Sequence, residues 1–332
     1  VKKMMSSVVL PTRNAEWCLP YSLKMLLEQV VQPDEYVVCI GKSEDKTEEL
    51  ILDFQKKCSV PVRLCYDREG IGTGYAMSLS LSKAKGDIIL WASSDGIKSK
   101  HWVERMMGFF VSNENLSYLC NSGTPENPSK ISEVDPEKIP ASTELKYTNG
   151  ADPLSGIIAF RRKDAIEVGG FDPLFTRGQD FDLVIRLSQA GKIGADCGSE
   201  GYHFGIYGMR NITKALKTGT FFRFFYKYGW RYCLLCKHHF FGVLLRTGFL
   251  FSIIMILLSL AIGSIPSATL FGLTLALSIF GLCYGVIVSH GKLSLNLLVF
   301  QFLESIGEYK QLWILIKNKN KPEFGYGKKW LK

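Results

Sequence analysis

From residue 5 to residue 200 the chain alternates short β-rich runs with stretches of helical period, the pattern of an α/β sheet. Ser6–Leu10 is predicted as a first strand. Trp17–Gln29 follows as a helix with Leu19, Leu23, Leu26 and Leu27 on one face. Glu35–Ile40 is a second strand, and Lys46–Cys58 a helix capped near Ser43 or Asp45. Val62–Tyr66, the helix Gly72–Ala84 and the strand Asp87–Ala92 continue the alternation. Ser93, Ser94, Asp95 and Gly96 come directly after that strand. Ligands of open α/β sheets gather outside the carboxyl ends of strands, so Asp95 stands where a ligand is expected. The polar segment 112–150, rich in Pro, Asn and Ser, predicts an irregular excursion over the sheet. Leu154–Phe160 is a further strand. Asp180 and Asp182 then open a helix whose apolar face includes Leu183, Ile185 and Leu187.

Beyond residue 200 the pattern changes. Phe241–Gly263 and Ser267–Ser289 are long apolar runs holding a single charge, Arg246, near the start of the first. At 1.5 Å per residue such runs suffice for roughly 30 Å of hydrocarbon. They predict a transmembrane hairpin closed by Ser264, Ile265 and Pro266. Thr218–Tyr232 interleaves aromatic residues with Arg223, Lys227 and Arg231, as a helix lying on an anionic headgroup layer does. Leu293–Ile316 is apolar but carries Glu304, Glu308 and Lys310. It reads as an interfacial helix in preference to a third span, because those charges are costly in lipid. The expected organisation is thus an α/β domain over 1–210, a juxtamembrane amphipathic helix over 211–240, two spans over 241–289, and an interfacial helix with a basic tail over 290–332.

Charge follows the same division. The chain of 332 residues has a formal charge of +9, yet residues 1–200 hold 24 Lys/Arg against 28 Asp/Glu, and residues 201–332 hold 16 against 3. No acidic residue lies between Glu200 and Glu304. A nucleic-acid binder should not confine its basic charge to its apolar part. A membrane-seated tail should, and lysines and arginines on both flanks of the hairpin make both flanks cytoplasmic. These features predict an integral membrane protein whose N-terminal domain is cytoplasmic, on an anionic leaflet. The nine cysteines are scattered, and in a cytosolic domain they are expected as free thiols. The Cys233, Cys236, His238, His239 cluster has zinc-like spacing but no second paired cluster, so it is not read as a metal site. The glycines at 70, 72 and 74 follow the third strand, not the first, and read as a glycine-permitted turn, not as a dinucleotide fingerprint.

Four motifs, in order, carry a resemblance: VVLPTRN at Val8–Asn14, SEDKT at Ser43–Thr47, AKGDIILWASSDG at Ala84–Gly96, and GIIAFRRKDAIEVGGFDPLFTRGQDFDLVIRLSQAGKIG at Gly156–Gly194. Over about residues 5–210 the chain resembles a family-2 inverting glycosyltransferase with a GT-A fold. The resemblance implies a Rossmann-like nucleotide-sugar-binding domain of α/β class, joined here to the amphipathic helices and the two-helix membrane hairpin.

By that resemblance Asp180 is the base that takes the acceptor's proton in a single displacement. Asp95, at the last position of the family's DxD motif, would hold Mg²⁺ or Mn²⁺ against the donor diphosphate, and His203 would be a second metal or diphosphate contact. Pro11, Thr12, Arg13, Ser43, Asp45, Ser93 and Ser94 would line the nucleotide-sugar pocket. Gly170, Phe171, Gln179 and Asp182 would form the acceptor side. Departures from the pattern are Ser93 for the first aspartate of DxD, Ile40-Gly41 for the aspartate after the second strand, Ser78 for asparagine, and Gln179 for glutamate. The implied partners are a nucleotide-sugar donor and a polyprenyl-linked glycan acceptor. Alternatives are a polyprenyl-phosphate monosaccharide synthase and a non-catalytic membrane scaffold.

Overall fold

The computed structural model of the chain describes residues 4–121, 124–135, 138–139, 144–148, 156–173, 175, 178–204 and short helical pieces between 252 and 279. Two compact units are present, residues 1–207 with 322–332, and residues 208–321.

In the first unit, β1 (Ser6–Thr12), β2 (Glu35–Gly41), β3 (Val62–Asp67) and β4 (Ile88–Trp91) pair in parallel, in the order β3-β2-β1-β4. Their period-2 alternation supplies both faces of the sheet: Val8 and Leu10 enter one apolar cluster, Val9 the other. Parallel strands need crossovers, and α1 (Leu19–Leu27), α2 (Thr47–Lys57) and α3 (Thr73–Lys83) provide them. Leu19, Leu23 and Leu26 of α1 and Ile51 and Phe54 of α2 seal one face, while Ala76, Met77 and Leu81 of α3 seal the other. The four expected strands and three expected helices are all present, with ends shifted by one or two residues.

Segment 112–150 departs from its expected irregularity. A three-residue strand β5 (Gly96–Lys98) leads to α4 (Trp102–Ser112), and then β6 (Leu116–Asn121) enters the main sheet with all six residues buried. The polar members of β6 disguise it: Ser117 is buried because its Oγ donates to Asp164 Oδ2 at 2.7 Å. Beyond it lie a two-residue strand β7 (Thr124–Pro125), a 3-10 turn at Pro128–Glu133, and β8 (Lys146–Thr148). After β9 (Gly156–Arg161) come α5 (Arg162–Glu167), α6 (Gln179–Gln189), β10 (Ile193–Asp196) and β11 (Gly201–His203).

The eight-stranded sheet runs β3-β2-β1-β4-β9-β6-β10-β8, with β9 antiparallel to both β4 and β6. That reversal matters for chemistry. It brings the start of β9, at Gly156, to the same edge as the carboxyl ends of β1, β2, β3, β4 and β6. A second small sheet, β5-β11-β7, sits past the end of β4. Cys18, Cys39, Cys58, Cys65, Cys120 and Cys197 are free thiols, as expected.

In the second unit the described residues are helical except for a turn at 262–263, and they include the helical run 256–261. Leu257, Leu258, Leu260 and Ile262 are exposed, at 53 to 77%. Among the described residues no helix is long and apolar enough to cross a membrane. The juxtamembrane helix, most of both expected spans, the interfacial helix, the basic tail and the Cys233–His239 cluster lie outside the described residues.

Candidate active site at the carboxyl edge of the sheet

Two turns at this edge are stitched to each other by side chains. Asn14, which takes a positive φ of 47°, donates its N–H to Ser43 Oγ at 3.0 Å and accepts Glu44 N–H at 2.9 Å through Oδ1. Asp45 accepts Thr47 N–H, Thr47 Oγ–H at 2.6 Å and Glu16 N–H at 3.0 Å. Asp45, one residue before the N-cap Lys46, thereby satisfies Thr47 N–H at the start of α2. Burial pushes its carboxyl up, but these donors outweigh it and the carboxyl lies below its ordinary value. Ser43 also donates to Gly41 O at 2.9 Å. The polar atoms of Ser43 and Asp45 thus hold the loop that carries Pro11, Thr12 and Arg13. Thr12 is buried, whereas Arg13 is exposed. Arg13 lies over Gly41, where an added Cβ would come within 3.1 Å of the Arg13 Cβ, and its Nη1 is 3.4 Å from Gly70 O.

Asp67, at the carboxyl end of β3, was not singled out from the sequence. It is buried and accepts Ile71 N–H at 2.9 Å and Gly72 N–H at 3.1 Å. These bonds shape the glycine turn, in which Gly70 and Gly72 take positive φ values of 69° and 139°. The rule that marks Asp95, a carboxylate at a strand's carboxyl end, marks Asp67 equally.

Past β4, Ser93 Oγ donates to Asp95 Oδ1, and His203 Nε2 lies 3.5 Å from the same oxygen. β11 carries His203 there by pairing with β5 in the register His203↔Gly96, and Phe204 N–H closes on Asp95 O at 2.9 Å. Asp95 and His203 are each about 30% exposed, so the pair opens to solvent. Cys18, at the start of α1, is buried, and its thiol is pushed up to about 12 by burial first and then by the charge of Asp95. An oxygen and an imidazole fit a divalent cation such as Mn²⁺. Among the described residues no group of three or more His, Cys, Asp or Glu gathers, so a bound ion here would need further ligands from the substrate or solvent.

The residues expected on the acceptor side gather around the start of α6 and the turn before it. Gly178, with φ 80°, starts α6, so that Gln179 and Asp180 form its first turn. The Asp180 carboxylate lies beside Gly156 at the start of β9. The Cys120 thiol, at the end of β6, is pushed up to about 12 by burial first, then by Asp196 and Asp180. Gln179 is buried. Asp182 is fully buried, and its Oδ2 accepts Arg186 Nε at 3.0 Å and Nη2 at 2.6 Å. Arg186 also donates to Val168 O and Gly170 O, so Asp182 acts through Arg186 on the turn that holds Gly170 and Phe171. Phe171 is buried; its carbonyl accepts Ser78 Oγ–H at 2.6 Å, and its ring meets Trp91 edge-on at 5.9 Å between centroids. Trp91 ends β4, two residues before Ser93, so the Trp91–Phe171 contact joins the Asp95 side to the Asp180 side. Gly156, Trp91 and Arg186 escape a motif-based reading because their parts are packing and reach, not chemistry, whereas Ser78, a departure from the family's asparagine, anchors the Phe171 carbonyl.

Residues 7–169 match the family model described as Glycosyl transferase family 2. The uncharacterized glycosyltransferase YfnE of Bacillus subtilis is 24% identical over 57% of this chain and 61% of its own length. The UDP-Glc:alpha-D-GlcNAc-diphosphoundecaprenol beta-1,3-glucosyltransferase WfgD of Escherichia coli is 25% identical over 58% of this chain and 73% of its own. The chain therefore spans less than two thirds of YfnE. Among solved structures, the mannosyltransferase PcManGT of Pyrobaculum calidifontis, in complex with GDP-Man and Mn²⁺, superposes with a TM-score of 0.54 at 14% identity. That match covers 95% of this chain and 88% of PcManGT, and it establishes a shared fold.

Proposed function

We propose, from the match of residues 7–169 to the glycosyl transferase family 2 model, that the chain is a membrane-attached inverting glycosyltransferase. It moves a sugar from a nucleotide-diphosphate donor to a polyprenyl-linked glycan acceptor at the cytoplasmic leaflet. The observation that carries this reading is the gathering of the Asp95–His203 pair and Asp180 at one sheet edge, joined through the Trp91–Phe171 contact.

The chemistry is one displacement. The acceptor oxygen forms its bond to the anomeric carbon as the bond to the donor diphosphate breaks, and Asp180 takes the hydroxyl proton. Asp95 and His203 would hold Mg²⁺ or Mn²⁺, which supplies positive charge to the leaving diphosphate. Pro11, Thr12 and Arg13 face the nucleotide, with Ser43, Asp45 and Asp67 holding their turns. WfgD, by its name, acts on a diphosphoundecaprenol-linked sugar, which supports a lipid-linked acceptor. Attachment to the membrane is supported by the apolar runs 241–263 and 267–289 and by the exposed Leu257, Leu258, Leu260 and Ile262.

The test is nucleotide release from a panel of nucleotide sugars by the full chain, with Asp180→Asn and Asp95→Ala beside it. The parent is expected to turn over at least one donor in the presence of Mn²⁺. Asp180→Asn is expected to lose transfer and Asp95→Ala the metal dependence. A parent inert toward every donor overturns the enzyme reading and leaves the scaffold alternative. For topology, single cysteines placed at Ser267 and Lys328 are expected to differ in labelling from the cytosolic side, and equal labelling rejects the hairpin.

A further inference from the structure

Three charged side chains meet at the small sheet, Glu200 and Lys98 buried and Arg105 mostly so. Glu200 has no exposed surface, Lys98 is 8% exposed, and Arg105 projects from α4. Arg105 Nη2 bonds Glu200 Oε2 and also donates to Ser99 Oγ at 2.9 Å. Lys98 lies on β5 opposite Gly201, the residue after Glu200. Among the described residues, Glu200 Oε1 and Arg105 Nε are buried without a hydrogen-bond partner. Burial pushes the Glu200 carboxyl up, against the pull of Arg105 and Lys98. Such a cluster is a poor way to gain stability, since apolar residues of similar size do as well or better.

The strands it supports are unusually short. β5 and β11 have three residues each and β7 has two. Ladders of that length specify register weakly, and a slip of one residue turns every side chain to the opposite face. In β11 the consequence is direct. Glu200, Tyr202 and Phe204 alternate toward the interior, where Phe204 is buried in the core cluster and its ring lies 6.4 Å from that of Tyr202. Gly201 and His203 take the other face, and His203 thereby meets Asp95. A slip would carry His203 into the core and Glu200 away from Arg105. Gly201 (φ 147°) allows the backbone to pass against Ile97 O, where a Cβ would clash.

We propose that the buried Arg105–Glu200 pair is a register lock for β11, and that Glu200 is a positioning residue that holds His203 against Asp95. The inference rests on the reading of His203 as an arm of the cation site. It extends that reading to two residues that touch neither substrate nor metal.

The test uses the full chain and three variants: Glu200→Gln, the apolar double variant Glu200→Leu/Arg105→Leu, and His203→Ala. Hydrogen exchange is read at residues 201–204, and Mn²⁺ affinity by electron paramagnetic resonance. The double variant keeps the interior filled and is expected to melt at or above the parent temperature. Its exchange at 201–204 should nevertheless rise about tenfold or more, while peptides of β1 to β4 stay protected. Its Mn²⁺ dissociation constant should rise about 10- to 100-fold, the range for loss of an outer-shell partner. Glu200→Gln should shift both in the same direction. A double variant with parental exchange at 201–204 overturns the lock, whatever happens to the metal. If His203→Ala binds Mn²⁺ like the parent, the metal reading fails, and the exchange result still decides the lock.

Discussion

The carboxylate of Asp180 rests against the backbone of Gly156, so that a methyl group built on that glycine would stand 2.5 Å from Asp180 Oδ2. The glycine is the seat of the carboxylate. Gly156→Ala forces the end of a side chain to move while the backbone of β9 can stay, so the fold should tolerate it. We expect a melting temperature close to that of the parent and a kcat lower by about 100-fold, the cost of an ångström-scale misplacement of a catalytic group. Donor affinity, measured by calorimetry, should not change. An alanine variant with parental kcat would show that Asp180 needs no such seat.

Asp182 is two residues from Asp180, yet its role is different. Its carboxylate is fully buried on Arg186, which is itself mostly buried and grips the carbonyls of Val168 and Gly170. Removing one partner leaves the other charge uncompensated in the interior. Arg186→Met is expected to destabilise the domain by about 3–5 kcal/mol in denaturant unfolding. A loss below about 1 kcal/mol would place the pair among ordinary surface ion pairs.

How far the sequence foretells this site depends on the kind of signal. Asp95 and Asp180 are legible because each follows a glycine- or strand-bounded motif, and the strand–helix alternation up to Ala92 is legible because its apolar periods are unbroken. β6 is not, because its buried Ser117 and Asn121 read as loop residues until Asp164 is seen to satisfy Ser117. The small sheet is not, because three-residue strands carry no period. Ser43 and Asp45 lie at this edge but spend their hydrogen-bonding capacity on Asn14, Glu16 and Thr47. Gly156 and Arg186 become meaningful only when β9 turns antiparallel and α6 packs on the turn before it.

Glu35, at the start of β2, gives a pH-dependent handle on the parallel half of the sheet. Burial pushes its carboxyl up, but Ser7 Oγ–H, the Arg63 guanidinium and Lys85 N–H outweigh this and hold it below the ordinary 4.5. The folded state therefore binds its proton less readily than the unfolded chain. The resulting stabilisation is complete above the unfolded value and is lost as pH falls through the lower folded value. Glu35→Gln should cost about 2 kcal/mol near neutral pH, the scale of hydrogen bonds to a charged group. Denaturant unfolding at a series of pH values should show that gap narrowing below 4.5. A gap independent of pH would mean that the charge of Glu35 contributes nothing.

The proposed place of Arg13 in the nucleotide pocket can be tested separately for the base and for the phosphates. Around it the carboxylates of Asp45 and Asp67 are committed to backbone N–H groups. Arg13 itself is exposed and makes one long bond, 3.4 Å, to Gly70 O. A guanidinium has five N–H donors, so most of its capacity faces outward at the carboxyl ends of β1 and β2. Ring carbonyls and nitrogens of a base are acceptors that such a group can serve. Arg13→Ala is expected to weaken binding of nucleoside diphosphates by about 10- to 100-fold, equivalent to about 1.4–2.8 kcal/mol. Ribose 5-diphosphate, which lacks the base, should bind the parent and the variant alike. Titration of both ligands into both proteins by calorimetry decides it: an equal loss for the two ligands would assign Arg13 to the diphosphate, and no loss for either would remove it from the pocket.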